Sequence, residues 1–291
     1  MQRPEQLKTR IFLDSGSAED TEIIVGKFGF LDGQTTNPTY FVKKNPEVSA
    51  AVAKGKKFSK EELLAEYKKL AEQISSLVPV DGSVSVEVYA DKDTTFEEMI
   101  EQGRQMWEWI PNAHIKLPII PVGLEAAHVL VGEGKRVNMT LCFSQEQAAA
   151  VHAATRGAKK GQVFVSPFIS RLDKIGQDGF SLLQNIQKMY RKYESHAEIL
   201  AASVHSVYDI ARTIQEEIDI ITSPYDDFLV WLNENTPFST EGLEKKDGEG
   251  LVAIEYVECD LNQEYTSFDI HHELTDIGLG RFASDWNEVL E

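Results

Sequence analysis

Eight short runs rich in β-branched and apolar residues recur along the chain, at residues 11–14, 30–36, 84–88, 113–116, 137–141, 163–166, 199–203 and 218–222. Between them lie amphipathic stretches long enough to carry the chain back as a helix, which is the connection that parallel strands require. Strand and helix alternate for most of the length, and eight such units predict a closed α/β barrel, a (β/α)8 TIM barrel occupying residues 1–232. Helix starts fall where this scheme needs them. Ser17 with Asp20, Ser59 with Glu62, Thr95 with Glu98 and Ser144 with Gln147 all have the spacing of a capping box.

The long connection from 38 to 82 is lysine-rich and periodic, with Leu63, Leu64, Tyr67, Leu70 and Ile74 at helical spacing. It reads as a helix packed on the outside of the barrel. After residue 233 the pattern fails. Residues 233–237 and 245–250 read as loop, and a helix is expected from about Leu274 to Leu290, docking through Leu274, Ile277, Phe282, Trp286 and Leu290. Residues 233–291 hold 15 carboxylates against Lys245, Lys246 and Arg281, a balance of −12 within a total of −18. This is expected to be an acidic C-terminal extension that packs on the barrel, over its mouth, or on a neighbouring subunit.

That charge opposes binding to nucleic acid or anionic lipid through a broad basic surface, so an anionic substrate would need a local pocket of positive charge. No apolar run is long enough to cross a bilayer, and the amino terminus lacks the hydrophobic segment of a signal peptide. A soluble, cytoplasmic protein with reduced cysteines at Cys142 and Cys259 is expected. His271, His272 and Glu273 are adjacent in a polar segment and read as solvated or capping groups rather than metal ligands. Barrel exteriors and the extension can serve as solvent face or interface, so a homo-oligomer stays open.

In a barrel of this kind the carboxyl ends of the strands share one mouth, where functional side chains gather. Asp14 ends run one, Asn37 follows run two, Glu87 is near the end of run three and Lys116 ends run four. Asn138 and Thr140 lie two apart on run five and share a face of the strand. Ser166 ends run six, with Arg171 behind it, and Ser203 ends run seven. A lone polar residue at a strand end is usually a cap or an ion-pair partner, yet nearly every run delivers one to the same rim. A lysine in such a partly dry place loses some stability in its charged form, and a neutral amine can attack a carbonyl to form a Schiff base. Asp14 and Glu87 are then candidates to move protons.

The segments Leu-Asp-Gly-Gln-Thr-Thr-Asn-Pro-Thr (31–39), Val-Ser-Val-Glu-Val (84–88), His-Ile-Lys-Leu-Pro (114–118), Asn-Met-Thr-Leu-Cys-Phe-Ser-Gln-Glu-Gln-Ala (138–148) and Val-Ser-Pro-Phe-Ile-Ser-Arg-Leu-Asp (165–173) resemble the transaldolases, over roughly residues 10–230. The resemblance implies a cofactor-free, metal-free class I mechanism on sugar phosphates of the non-oxidative pentose phosphate pathway. Lys116 would form the Schiff base with a ketose phosphate, and Asp14 would be the acid/base that cleaves the bond between the third and fourth carbons. Glu87 and Thr140 would hold the relaying water, Asn37, Asn138 and Ser166 the donor hydroxyls, and Arg171 and Ser203 the phosphate.

Two positions depart from the pattern or select within it. Family members usually carry Arg or Lys two residues after the serine of run seven, where this chain has His205. That leaves either a hydrogen-bonding histidine assisted by helix-start amides, or a shifted preference for the anionic end of the substrate. At Phe168 the related fructose-6-phosphate aldolases resemble one another in having tyrosine, so the resemblance implies transfer rather than release of dihydroxyacetone. The alternatives are an aldolase that frees dihydroxyacetone or acts on a modified sugar, and a silent barrel that only binds. Retention of Asp14, Glu87, Lys116 and Thr140 together argues against the last.

Overall fold

The computed structural model describes residues 3–5, 7–243 and 250–291. Most of the loop expected at 245–250 and part of the amino-terminal segment therefore lie outside the described residues. Eight parallel strands close into a barrel: β1 (Arg10–Asp14), β2 (Gly33–Thr35), β3 (Ser83–Glu87), β4 (Ala113–Pro118), β5 (Val137–Cys142), β6 (Val163–Pro167), β8 (Glu198–Ala201) and β9 (Ile220–Pro224), with β9 returning to pair with β1. Outside the barrel, β7 (Gln177–Asp178) pairs with β10 (Val252–Ala253), so part of the extension is tied to the barrel's βα connections. No helix among the described residues is long and apolar enough to cross a membrane.

Strand limits differ from the apolar runs where local backbone chemistry intervenes. Run seven ends as a strand at Ala201 and keeps only a bridge from Ala202 to Phe168, because Ser203 then takes a left-handed φ of 57° that no extended strand accommodates. Run eight enters the barrel only at Ile220, since the Ile218 amide closes the preceding helix on the Thr213 carbonyl at 3.2 Å. The four helix starts behave as expected: Ser17 accepts from the Asp20 amide, and Ser59, Thr95 and Ser144 form complete reciprocal boxes.

The barrel is sealed at its amino end. His114 stacks on Phe164 with centroids 4.1 Å apart, held between Ser83 Oγ and the Gly161 carbonyl, and burial pushes its pKa well below the ordinary value. Phe12 meets Phe164 edge-on, while Arg10 lies over that ring at 5.0 Å and pairs with Glu198 at 2.9 Å. Arg10, Ser83 and Glu198 are the first residues of their strands, so this layer closes the floor and leaves the carboxyl ends as the open face.

The helix Lys60–Leu77 buries Leu63, Tyr67, Leu70 and Ile74 against the barrel, with Leu64 half-buried. The last helix, Glu273–Asn287, packs on the helix Pro38–Lys44 and on β5, which places it across the mouth of its own barrel. Of the residues expected to dock it, Phe282 and Trp286 are buried and Leu274 and Leu290 are half-buried against the core, but Ile277 is 55% exposed, while Thr275, Gly278 and Asp285 are buried. Polar pairing decides this. Thr275 donates to the Leu141 carbonyl at 2.9 Å, and Asp285 accepts from Thr39 and pairs with Lys43 at 2.6 Å. His272 caps the helix by accepting from the Leu274 amide, as the capping reading anticipates.

Candidate active site

Strand register lines up the central groups. Glu87 on β3 is opposite Lys116 on β4, Lys116 is opposite Asn138 on β5, and Pro118 is opposite Thr140. Lys116 and Glu87 form an ion pair at 2.8 Å with both side chains 4% exposed, and the ammonium also donates to the Thr36 carbonyl at 3.0 Å. Across the mouth, Asp14 ends β1 opposite Thr35, whose hydroxyl donates to it at 2.9 Å and meets Thr222 at 2.7 Å.

The Thr-Thr-Asn-Pro segment acts residue by residue. Thr35 fixes Asp14. Thr36 bonds the Ser85 carbonyl and the Tyr67 hydroxyl through its side chain and offers its own carbonyl to Lys116. Asn37 caps the helix Pro38–Lys44 by accepting from the Tyr40 amide at 2.9 Å, and also hydrogen-bonds Asp14. Pro38 fills the first helical position, where a missing amide proton costs nothing. Tyr67 is more than a packing residue, because its hydroxyl also accepts from the Glu87 amide at 2.9 Å and so links the outer helix to the two ion-pair partners.

Burial is the largest influence on both carboxyls. It raises the Asp14 pKa above the usual range, opposed by the charge of Lys116 and the hydrogen bonds from Thr35 and Asn37; it raises Glu87 likewise, opposed chiefly by Lys116. A carboxyl that holds its proton more tightly than usual, beside an amine, is suited to accept and return one. Asn138 is fully buried behind the lysine, donating to Ser85 Oγ at 3.0 Å and accepting from Ser166 Oγ at 2.6 Å. Thr140 is buried too, and its hydroxyl oxygen has no hydrogen-bond partner among the described residues.

A cavity of about 280 Å³ opens over this centre. Asp14, Asn37, Lys116, Ser166, Phe168, Arg171, Ser203 and His205 line it, while Glu87, Asn138 and Thr140 stand behind its wall. Arg171 lies over the Phe168 ring at 4.9 Å, and Ser203 meets Ser170 at 2.7 Å. His205 Nδ1 is 3.1 Å from Asp227 Oδ2. Thr39, Tyr40, Lys174 and Arg281 also line the cavity and were not singled out as site residues from the sequence, and Phe282, expected only to dock the last helix, lines it too. Thr39 and Tyr40 directly follow Asn-Pro in the first helical turn, which is a signal that could have found them; Arg281 and Phe282 arrive on the last helix, where no local pattern points to the mouth.

Comparison with known proteins agrees with this architecture. The family model described as Transaldolase/Fructose-6-phosphate aldolase matches residues 11–291, a span that includes the last helix. A probable transaldolase of Dehalococcoides mccartyi is 32% identical over 281 residues, covering 96% of this chain and 99% of the relative. One from a Caulobacter species is 36% identical over 238 residues, covering 81% and 94%, and one from Syntrophomonas wolfei is 35% identical over 236 residues, covering 81% and 95%. With the match running through the barrel and its covering helix alike, the chain belongs to the transaldolase/fructose-6-phosphate aldolase family of enzymes.

Proposed function

We propose that the protein is a transaldolase that moves a dihydroxyacetone unit from a ketose phosphate, fructose 6-phosphate or sedoheptulose 7-phosphate, to an aldose phosphate through a Schiff base on Lys116. The observation that carries this reading is the buried Lys116 with one carboxyl beside it, Glu87, and a second, Asp14, on the same cavity. Glu87 takes a proton from the ammonium; the neutral amine adds to the second carbon of the ketose, and water leaves as the imine forms. Asp14 takes the proton of the fourth-carbon hydroxyl, the bond between the third and fourth carbons breaks, and its electrons enter the enamine. The aldose phosphate departs. The enamine then adds to the acceptor aldehyde, Asp14 returns the proton, and water releases the new ketose.

Thr140 and Glu87 hold that water: the Thr140 hydroxyl is buried without a hydrogen-bond partner among the described residues, the kind of group that ordered water satisfies. Asn37, Asn138 and Ser166 bind donor hydroxyls, and Arg171 and Ser203 take the phosphate. Phe168 carries no hydroxyl and supports the Arg171 guanidinium, which favours transfer over release of free dihydroxyacetone. The reading uses no metal or cofactor and places the reaction among the cytoplasmic sugar phosphates of the pentose phosphate pathway.

Borohydride reduction in the presence of fructose 6-phosphate, followed by intact and peptide mass spectrometry, tests it. A dihydroxyacetone adduct on Lys116 is expected. A folded protein that gives no adduct with any ketose phosphate would sink the proposal.

A further inference from the structure

The cavity has two ends of different character, and the outer one holds more positive charge than the sequence motifs supply. Arg171 and Lys174 reach it from the segment after β6, and Arg281 reaches it from the last helix. His205, at the position where relatives usually carry a strong base, is matched by a carboxylate: its Nδ1 faces Asp227 Oδ2 at 3.1 Å. That ring is therefore already engaged by a carboxylate before any substrate arrives.

The two arginines are placed differently. Among the described residues Arg171 makes no ion pair; it lies over the rings of Phe168 at 4.9 Å and Phe282 at 5.7 Å. The helix is shaped to it, because a Cβ added at Gly278 would come within 2.8 Å of an Arg171 terminal nitrogen and 2.6 Å of Leu141. Arg281 follows Gly278 by one turn. Its Nε is 3.9 Å from Asp285, a carboxylate already engaged by Lys43 at 2.6 Å and by Thr39, which leaves the terminal nitrogens of Arg281 uncommitted toward the cavity. Burial, and after it the nearby charge of Arg281, hold the Arg171 pKa below its ordinary value. Converging guanidinium groups with no shared carboxylate are stabilised by an anion that bridges them, and a phosphate monoester fits such planar forks.

We propose that Arg281 is the second cationic ligand of the phosphate subsite, delivered by the covering helix in place of the base missing at position 205, and that it sets the preference for phosphorylated over neutral sugars. This rests on the sugar-phosphate reading above. Arg281→Gln and Arg281→Lys, at a residue whose side chain is 59% exposed, are expected to fold normally.

Inorganic phosphate, titrated calorimetrically against the full chain, should bind Arg281→Gln roughly 10- to 100-fold more weakly than the parent. In steady state, kcat/KM for fructose 6-phosphate should fall by a similar factor and that for unphosphorylated fructose should not change. Arg281→Lys should lie between, and adding His205→Arg to Arg281→Gln should recover most of the preference. Unchanged phosphate affinity together with an unchanged phosphorylated-to-neutral ratio would overturn the inference. Absence of a borohydride adduct in the parent protein would instead remove the transaldolase reading, while a phosphate affinity that still depends on Arg281 would keep the anion site standing.

Discussion

The inner and outer ends of the cavity are built on opposite principles. At the inner end every group is rooted in a barrel strand or in the Thr-Thr-Asn-Pro segment, nearly dry, and paired before substrate arrives: Lys116 with Glu87 and the Thr36 carbonyl, Asp14 with Thr35. At the outer end the cations sit on connections and on the last helix, and Arg171 has aromatic neighbours rather than a carboxylate. Reactive groups need fixed geometry and tuned protonation, and strands inside a sealed barrel provide both. An anion grip needs surplus charge and an entry path, which wet edges provide. Damage to the inner end should therefore appear in kcat, and damage to the outer end in KM.

Lys116→Met is the strongest test of that division. Without a nucleophile, kcat should drop by about 10^4-fold or more and the borohydride adduct should vanish from the mass spectrum. Equilibrium binding of inorganic phosphate, by contrast, should be unaffected. Asp14→Asn comes next, lowering kcat by about 10²- to 10⁴-fold while the imine can still be trapped.

That substitution should also stabilise the protein at pH 7, because it removes a carboxylate that burial disfavours. The sign follows from linkage. A carboxyl whose folded pKa is raised binds its proton more tightly when folded, so its share of stability is full below the unfolded pKa near 3.8 and is lost as pH climbs through the raised folded value. The advantage of Asp14→Asn over the parent, read from urea unfolding, should accordingly shrink as the pH is lowered toward that unfolded pKa.

Arg171→Gln should raise KM for fructose 6-phosphate by about 10- to 100-fold with kcat nearly kept. A loss confined to kcat would erase the contrast between the two ends. The smallest effect belongs to Tyr67→Phe, which strips one hydroxyl from between Thr36 and the Glu87 amide. It should cost about 1–3 kcal/mol in chemical denaturation, and a lowered kcat at unchanged KM would show that the outer helix positions the ion pair as well as packing on it.

How far these features could be read beforehand tracks the same division. Asp14, Glu87 and Lys116 were legible because a strand's carboxyl end is found by counting from an apolar run, and register then does the rest. Asn37 was legible as part of a compact motif, whereas Tyr67 passed as one more residue on a hydrophobic stripe, since its hydroxyl's partners lie on other elements. One residue of the last helix, Ile277, was misplaced for a related reason, while Leu274, Phe282, Trp286 and Leu290 pack as expected. Apolar periodicity favoured Ile277, but Thr275 and Asp285 find their partners on β5, at Thr39 and on Lys43, and take buried places that periodicity does not assign to polar residues. Arg281 belongs to no apolar stripe or strand end, and so its place on the cavity was not legible.

The ties of the last helix span very long stretches of chain: Thr275 reaches back 134 residues to Leu141, and Thr39 forward 246 residues to Asp285. Bringing such distant segments together is entropically slow, and it cannot begin on a ribosome until all eight barrel strands have been made. A newborn chain thus owns its lysine and carboxyls well before it owns the helix that completes the outer end of the cavity. The mouth is finished last, and it is the natural place for the folded protein to open first.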